Sequence, residues 1–220
     1  QAEHVGAEIV NDLIVEADIG TRPFRLTGDS GTVYTADALI IATGAQAKWL
    51  GLPSEQTYMG FGVSACATCD GFFYRGKNVV VIGGGNTAVE EALYLSNLAR
   101  HVTVVHRRDE FRAERILQER LFARENVSVL WDTVVEEIKG VPGKLPLPPS
   151  VNGLLLKNAI SGEVTEMPID GVFVAIGHSP SVELFVGKLK QKPNGYLWTA
   201  PDSTKTDVPG VFAAGDVTDD

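Results

Sequence analysis

The chain has 220 residues, 44% hydrophobic and 21% charged, with 19 basic against 28 acidic side chains and a formal net charge of −9. This is the make-up of an ordinary soluble globular protein, with apolar area for one large domain or two small ones. The acidic balance leaves no broad basic face for a nucleic acid, and no apolar run reaches the length that crosses a membrane. The chain starts at Gln1 without a methionine and stops at Asp220. It reads as an internal fragment, so a targeting signal is not legible.

In chain order, Glu8-Ile9-Val10 and Leu13-Ile14-Val15-Glu16-Ala17 are the first predicted strands. Phe24–Thr27 and Thr32–Thr35 flank Gly28-Asp29-Ser30-Gly31 and predict a hairpin. Ala38-Leu39-Ile40-Ile41-Ala42 is a continuous apolar run ending in Thr43-Gly44, the pattern of a fully buried strand. Residues 49–53 read as a connection. From Asn78 the order becomes strand (78–82), glycine turn, helix (86–97), strand (102–105), helix (113–125) and strand (127–131). The second helix carries Ile116, Leu117 and Leu121 on its apolar face. Such alternation predicts a parallel sheet with right-handed crossovers. Segments 134–139, 154–160 and 163–168 predict an antiparallel meander with a proline-rich loop at 143–149, and Val172–Gly177 predicts another buried strand. Short strands at 195–198 and 210–216 close the chain. Ile41-Ala42-Thr43-Gly44 and Ala175-Ile176-Gly177 are alike as strand ends, as the two sides of a hinge would be.

Two motifs carry chemistry. Gly83-Gly84-Gly85-Asn86-Thr87-Ala88 fits the dinucleotide fingerprint in its alanine-terminated form. In the pattern Gly83-x-Gly85-x-x-Ala88, Gly83 permits the tight turn, Gly85 lets backbone approach a pyrophosphate, and the small Ala88 packs helix on strand. The helix from Asn86 turns its unpaired amides toward the phosphates. The following strand ends in His106-Arg107-Arg108, with Arg112 a turn later, where an NAD site would carry an acidic residue. Guanidinium groups clamp a 2′-phosphate that a carboxylate repels, which points to NADPH.

The only two cysteines, Cys66 and Cys69, stand three positions apart and precede Asp70. A secreted disulfide scaffold needs more cysteines at wider spacing, so the pair reads as working chemistry in a reducing, cytoplasmic compartment. Structural zinc, two inert thiols and a reversible disulfide all accommodate it. Zinc needs two further ligands, and the four histidines lack metal spacing, so no metal is expected. The spacing followed by a carboxylate favours the reversible disulfide, with Asp70 handling the proton of thiol exchange. Gly215-Asp216, after Gly210–Ala214, offers a carboxylate at a strand's end for a cofactor hydroxyl.

Together these segments, with Ala42-Thr43-Gly44 and Ala175-Ile176-Gly177-His178, resemble the low-molecular-weight, bacterial and plant type of NADPH-dependent thioredoxin reductase, in family order across essentially the whole chain. The resemblance implies an α/β protein of two Rossmann-like nucleotide-binding domains, the NADPH domain inserted into the FAD domain. Residues 1–46 and 177–220 would be parts of the FAD domain, and 47–176 the NADPH domain with its redox pair. Cys69 would lie nearest the flavin, Cys66 would attack the thioredoxin disulfide, and Asp70 would act as general acid. Thr43, Gly44, Gly215 and Asp216 would touch FAD; Gly83–Thr87, His106, Arg107, Arg108, Arg112 and Ile176 would serve nucleotide binding. A homodimer is implied as well. The family's N-terminal FAD pyrophosphate loop and C-terminal helix are missing, so this piece alone is expected to hold FAD poorly. The rival functions are a flavoprotein reductase of a peroxiredoxin system, which would prefer NADH and lack the arginines, and a non-catalytic NADPH and redox sensor. A ferredoxin or flavodoxin reductase would lack the dithiol.

Overall fold

The computed structural model describes residues 1–144 and 147–219. Two residues of the proline-rich loop, 145 and 146, lie outside them. The chain divides into two compact units, one of residues 1–46 with 179–220 and one of residues 47–178.

In the first unit, β1 (Ile14–Asp18), β2 (Phe24–Gly28) and β3 (Val33–Ala36) form an antiparallel sheet in the order β1-β2-β3. The hairpin is held by Asp12, whose carboxylate takes the hydroxyls of Tyr34 at 2.6 Å and Ser30 at 2.7 Å. Those bonds hold the Asp12 carboxyl far below the usual carboxylate range. Glu8-Ile9-Val10 forms no strand: the segment is exposed and unpaired in any sheet. β4 (Leu39–Ile41) also departs from expectation, since Ile41 is buried but Ile40 is 69% exposed. The strand alternates faces, and only the face toward Ala17, Phe24 and Val211 is packed. Two left-handed glycines, Gly44 and Gly177, precede β5 (Ala45–Ala47) and the strand it pairs with further on.

The second unit opens with α1 (Pro53–Tyr58), β6 (Val63–Ser64) and the single turn α2 (Ala67–Asp70). β7 (Asn78–Ile82), α3 (Asn86–Ser96), β8 (His101–Val105), α4 (Arg115–Phe122) and β9 (Val127–Leu130) then follow the predicted alternation. β10 (Thr133–Val141), β11 (Ser150–Asn158) and β12 (Val164–Pro168) make the antiparallel meander, and β13 (Gly171–Val174) returns to the parallel sheet. That sheet runs β6-β13-β7-β8-β9, every pairing parallel. Its strands are Val-rich because both faces are covered. Val79, Val81, Val102 and Val104 meet the helices through Ala88, Ala92 and Leu95. Val80, Ile82 and Val105 meet the meander through Ile138, Leu154 and Leu156. α4 is shorter than expected, and Ile116 stands off its packed face at 51% exposure, leaving Leu121 as the buried anchor.

The order of strands reverses between β7 and β13. From β7 the chain moves outward through β8 to β9, then jumps back to place β13 on the opposite flank. In open parallel sheets a crevice opens at such a reversal, outside the carboxyl ends of the strands. β14 (His178–Pro180) pairs with β5, and β15 (Val211–Ala213) lies parallel to β4 in the first unit. The tail segment 195–198 is no strand; Leu197 makes only an isolated bridge to Gln191.

Candidate functional site

At the β7–β13 reversal lies a cavity of about 610 Å³. Ile82, Gly83, Gly84, Gly85 and Thr87 line one side, and Ala175, Ile176 and Gly177 another. The glycine turn is built for close approach. Gly83 has φ +150, and a Cβ there would run into the Ala175 carbonyl oxygen and come within 2.8 Å of the Ala88 methyl. Gly84 lies on the His106 ring, leaving no room for a side chain. Gly85 differs, with nothing within 4 Å of an added Cβ and an extended backbone (φ −93, ψ −176). Packing does not require glycine at 85.

This contrast yields a prediction. Gly83→Ala is expected to cost about 2–4 kcal/mol of stability from overpacking and a strained φ. Gly85→Ala is expected to leave the melting temperature within about 2 °C, since its φ and ψ suit any residue, yet weaken nucleotide binding about tenfold or more. Thermal denaturation and a nucleotide titration of both variants check it.

The loop after β8 is pinned to the same turn. The Arg112 and Ala113 amides donate to the Gly84 carbonyl at 2.7 and 3.2 Å, and the Glu114 amide donates to Asn86 Oδ1 at 2.8 Å. Arg107, Arg108 and Arg112 are all exposed; Arg107 and Arg112 line the cavity and Arg108 does not. His106 lines the same cavity but, unlike the arginines, is buried. It is 6% exposed, wedged beneath Gly84 against Phe111 and Trp131. Burial first, then the three arginines, hold its pKa below the ordinary histidine value. A neutral ring that supports the turn from below is the consequence.

Cys66 and Cys69 are joined as a disulfide across one turn, their Cα atoms 5.3 Å apart. Cys69 is exposed and Cys66 half-buried. The Cys69 amide points at Cys66 Sγ at 3.2 Å, and the Thr68 hydroxyl lies 3.4 Å from the same sulfur. Donors so placed favour negative charge on Cys66. The half-buried Asp70 follows directly, close enough that its charge helps raise the Tyr74 pKa, after burial. The turn is tied down by residues that motif reading passed over. The Ser64 hydroxyl accepts the Cys66 amide at 3.0 Å, and Glu91 Oε1 accepts the Ala67 amide at 3.2 Å. Glu55, only 1% exposed, accepts the Leu50 and Gly51 amides, each at 2.9 Å, and so shapes the cavity wall at Trp49 and Leu50.

Thr43, Gly44, Gly215 and Asp216 form a separate group in the first unit. β4 and β15 are in register at Ile41 and Ala213, so their carboxyl ends emerge side by side. Gly44 and Gly215 are both left-handed, at φ +70 and +78. The Thr43 hydroxyl donates to the Ser181 carbonyl at 2.6 Å, while Asp216 stays exposed. This is again a carboxylate at the carboxyl edge of parallel strands.

The family model described as pyridine nucleotide-disulphide oxidoreductase matches residues 4–220. The chain belongs to the pyridine nucleotide-disulphide oxidoreductases. The oxidoreductase is 56% identical to the thioredoxin reductase of Rickettsia bellii, over all of its own length and 69% of the relative's. It is also similar, at 52% identity over 99% of its length and 68% of the relative's, to a Pseudomonas fluorescens protein named glucosaminate ammonia-lyase. Among solved structures, Lactococcus lactis thioredoxin reductase superposes with a TM-score of 0.80 at 37% identity, covering 99% of this chain and 69% of that one. The fold of the oxidoreductase is thus the Rossmann-type α/β fold of those enzymes.

Proposed function

We propose that this oxidoreductase is a thioredoxin-disulfide reductase, with NADPH and FAD as its cofactors. The observation that carries the reading is the Cys66–Cys69 disulfide in the same unit as the glycine-turn cavity. An ammonia elimination has no use for a reversible dithiol, which favours disulfide chemistry over the lyase name of one relative.

Residues 47–176 serve as the NADPH domain in this reading, and 1–46 with 177–220 as parts of the FAD domain. Gly83–Thr87 would hold the pyrophosphate, Arg107 and Arg112 the 2′-phosphate with Arg108 at the rim, and Ile176 the cavity's far wall, with His106 holding the turn. The bare first turn of α3 and the space over Gly85 fit such a ligand. Thr43, Gly44, Gly215 and Asp216 would contact FAD, where the exposed carboxylate suits a hydroxyl-bearing chain. When bound, NADPH would supply a hydride and FAD a two-electron relay to the disulfide.

The chain's own share is dithiol exchange. Opening the Cys66–Cys69 bond consumes two electrons and two protons and leaves two thiols. Asp70, beside the pair, holds and returns a proton. Cys66, deprotonated, attacks one sulfur of the partner's disulfide and expels the other as a thiolate, forming a mixed disulfide. Cys69 then attacks Cys66, restoring the internal disulfide and releasing the partner as a dithiol. Thr68 and the Cys69 amide support the thiolate on Cys66. A cytoplasmic location agrees with thiol chemistry in a reducing compartment, and a homodimer follows from the resemblance.

NADPH oxidation by the FAD-loaded holoenzyme is the test. It is expected to require oxidised thioredoxin and to stop when thioredoxin is withheld. Equal oxidation without any disulfide substrate rejects the proposal, and preference for a peroxiredoxin-system disulfide protein with NADH transfers it to that rival.

A further inference from the structure

Glu91 lies in the middle of α3, the helix whose N-terminal end carries the glycine turn. Its Oε1 accepts the amide of Ala67, the residue next to Cys66 in the dithiol turn. Its Oε2 is buried and has no hydrogen-bond partner among the described residues, a condition shared there only by His106 Nε2. A carboxyl in such a place costs free energy that an apolar side chain would not. The bond to Ala67 is the compensation on view. It closes a bracket, because the Ser64 hydroxyl takes the preceding amide, that of Cys66, from the β6 side.

We propose that Glu91 is a positioning residue for the Cys66–Cys69 pair, pinning the dithiol turn to the nucleotide helix through Ala67 so that its shape survives opening of the disulfide. The proposal rests on the redox reading of the pair given above. In the oxidised chain the S–S bond itself restrains the turn. Adding two electrons and two protons removes that bond, and α2, a single turn of four residues, is too short to hold itself together. What remains inside the turn is one helical turn of backbone bonds, the Asp70 amide to the Cys66 carbonyl at 3.1 Å and the Gly71 amide to the Ala67 carbonyl, with the contacts of the Cys69 amide and the Thr68 hydroxyl to Cys66 Sγ. The ties from outside it include those of Ser64 and Glu91. Without the Glu91 tether the two thiols drift apart, and both return of the disulfide and attack on a partner slow down. Burial lifts the Glu91 carboxyl above the ordinary glutamate range. Glutamine, neutral and of similar shape, keeps an oxygen that can accept the Ala67 amide.

The test uses the holoenzyme as wild type, Glu91→Ala and Glu91→Gln. Three quantities are read: hydrogen exchange at the Ala67 amide in the reduced state, the rate at which the pre-reduced dithiol reduces a small aromatic disulfide, and NADPH affinity. Glu91→Ala is expected to speed Ala67 exchange about tenfold and slow the thiol reaction about tenfold, with NADPH affinity within about threefold of wild type. Glu91→Gln is expected to restore both changes. Wild-type rates in Glu91→Ala, or a glutamine variant as impaired as the alanine one, overturn the proposal. Should the alanine variant fail to fold, rapid Ala67 exchange in the reduced wild type overturns it on its own. A Cys66→Ser control separates the two levels. If that variant still turns over, the redox reading fails; if it is dead while the Glu91 variants behave as wild type, only the tether fails.

Discussion

Cys66→Ser in the holoenzyme is expected to lower NADPH-dependent reduction of thioredoxin by at least about a thousandfold, the scale on which loss of a nucleophile acts. The oxygen of serine keeps the shape of the turn and accepts the Cys69 amide as the sulfur does. It cannot form the disulfide that stores the electron pair or the mixed disulfide that delivers it. NADPH affinity should stay within about threefold, because the cavity lining contains neither cysteine. Cys69→Ser is expected to be equally inactive but for a different reason. Its Cys66 thiol can still attack, so a covalent adduct with thioredoxin should accumulate, since no second sulfur is left to resolve it. Mass spectrometry of the two variants incubated with oxidised thioredoxin checks the division of labour. An adduct on Cys66→Ser through Cys69, with none on Cys69→Ser, would reverse the two roles.

The second large effect is on nucleotide choice. Arg107→Ala with Arg112→Ala is expected to raise the dissociation constant for NADPH roughly 100-fold while changing that for NADH less than about threefold. The reasoning is geometric. Both guanidiniums line the cavity, and Arg112 is held there by its own amide's bond to Gly84. A 2′-phosphate paired with two guanidiniums gains charge-assisted bonds that a 2′-hydroxyl does not, each about 1.5–3 kcal/mol. Arg108 is outside the lining, so Arg108→Ala is expected to change NADPH affinity less than about threefold, through the screened field alone. Calorimetric titration with both nucleotides separates these outcomes. Equal losses for NADPH and NADH in the double variant would mean that the arginines hold the pyrophosphate rather than the 2′-phosphate.

Most of this was legible in the chain because the relevant groups act through near neighbours. A disulfide across one turn needs sulfurs three residues apart, a phosphate cradle needs glycines between a strand and a helix, and the arginines follow the next strand directly. The strand–helix alternation from 78 to 130 was readable for the same reason, since apolar periodicity is local. Errors arose where burial depends on what packs from elsewhere. Ile40 and Ile116 read as core residues but stand exposed, because an apolar run does not reveal which face of a strand or helix will be covered.

Local spacing thus determined the groups on offer: a cysteine pair, a glycine turn and an arginine cluster, each defined by covalent neighbours. Contacts between residues far apart in the chain decided how those groups are held. The Ala175 carbonyl closes on Gly83 across 92 positions, Glu91 reaches Ala67 across 24, and His106 folds back under Gly84. A lone glutamate or histidine has no spacing rule. Its role comes from the donor or ring it meets once the sheet has formed, and only the folded chain brings them together.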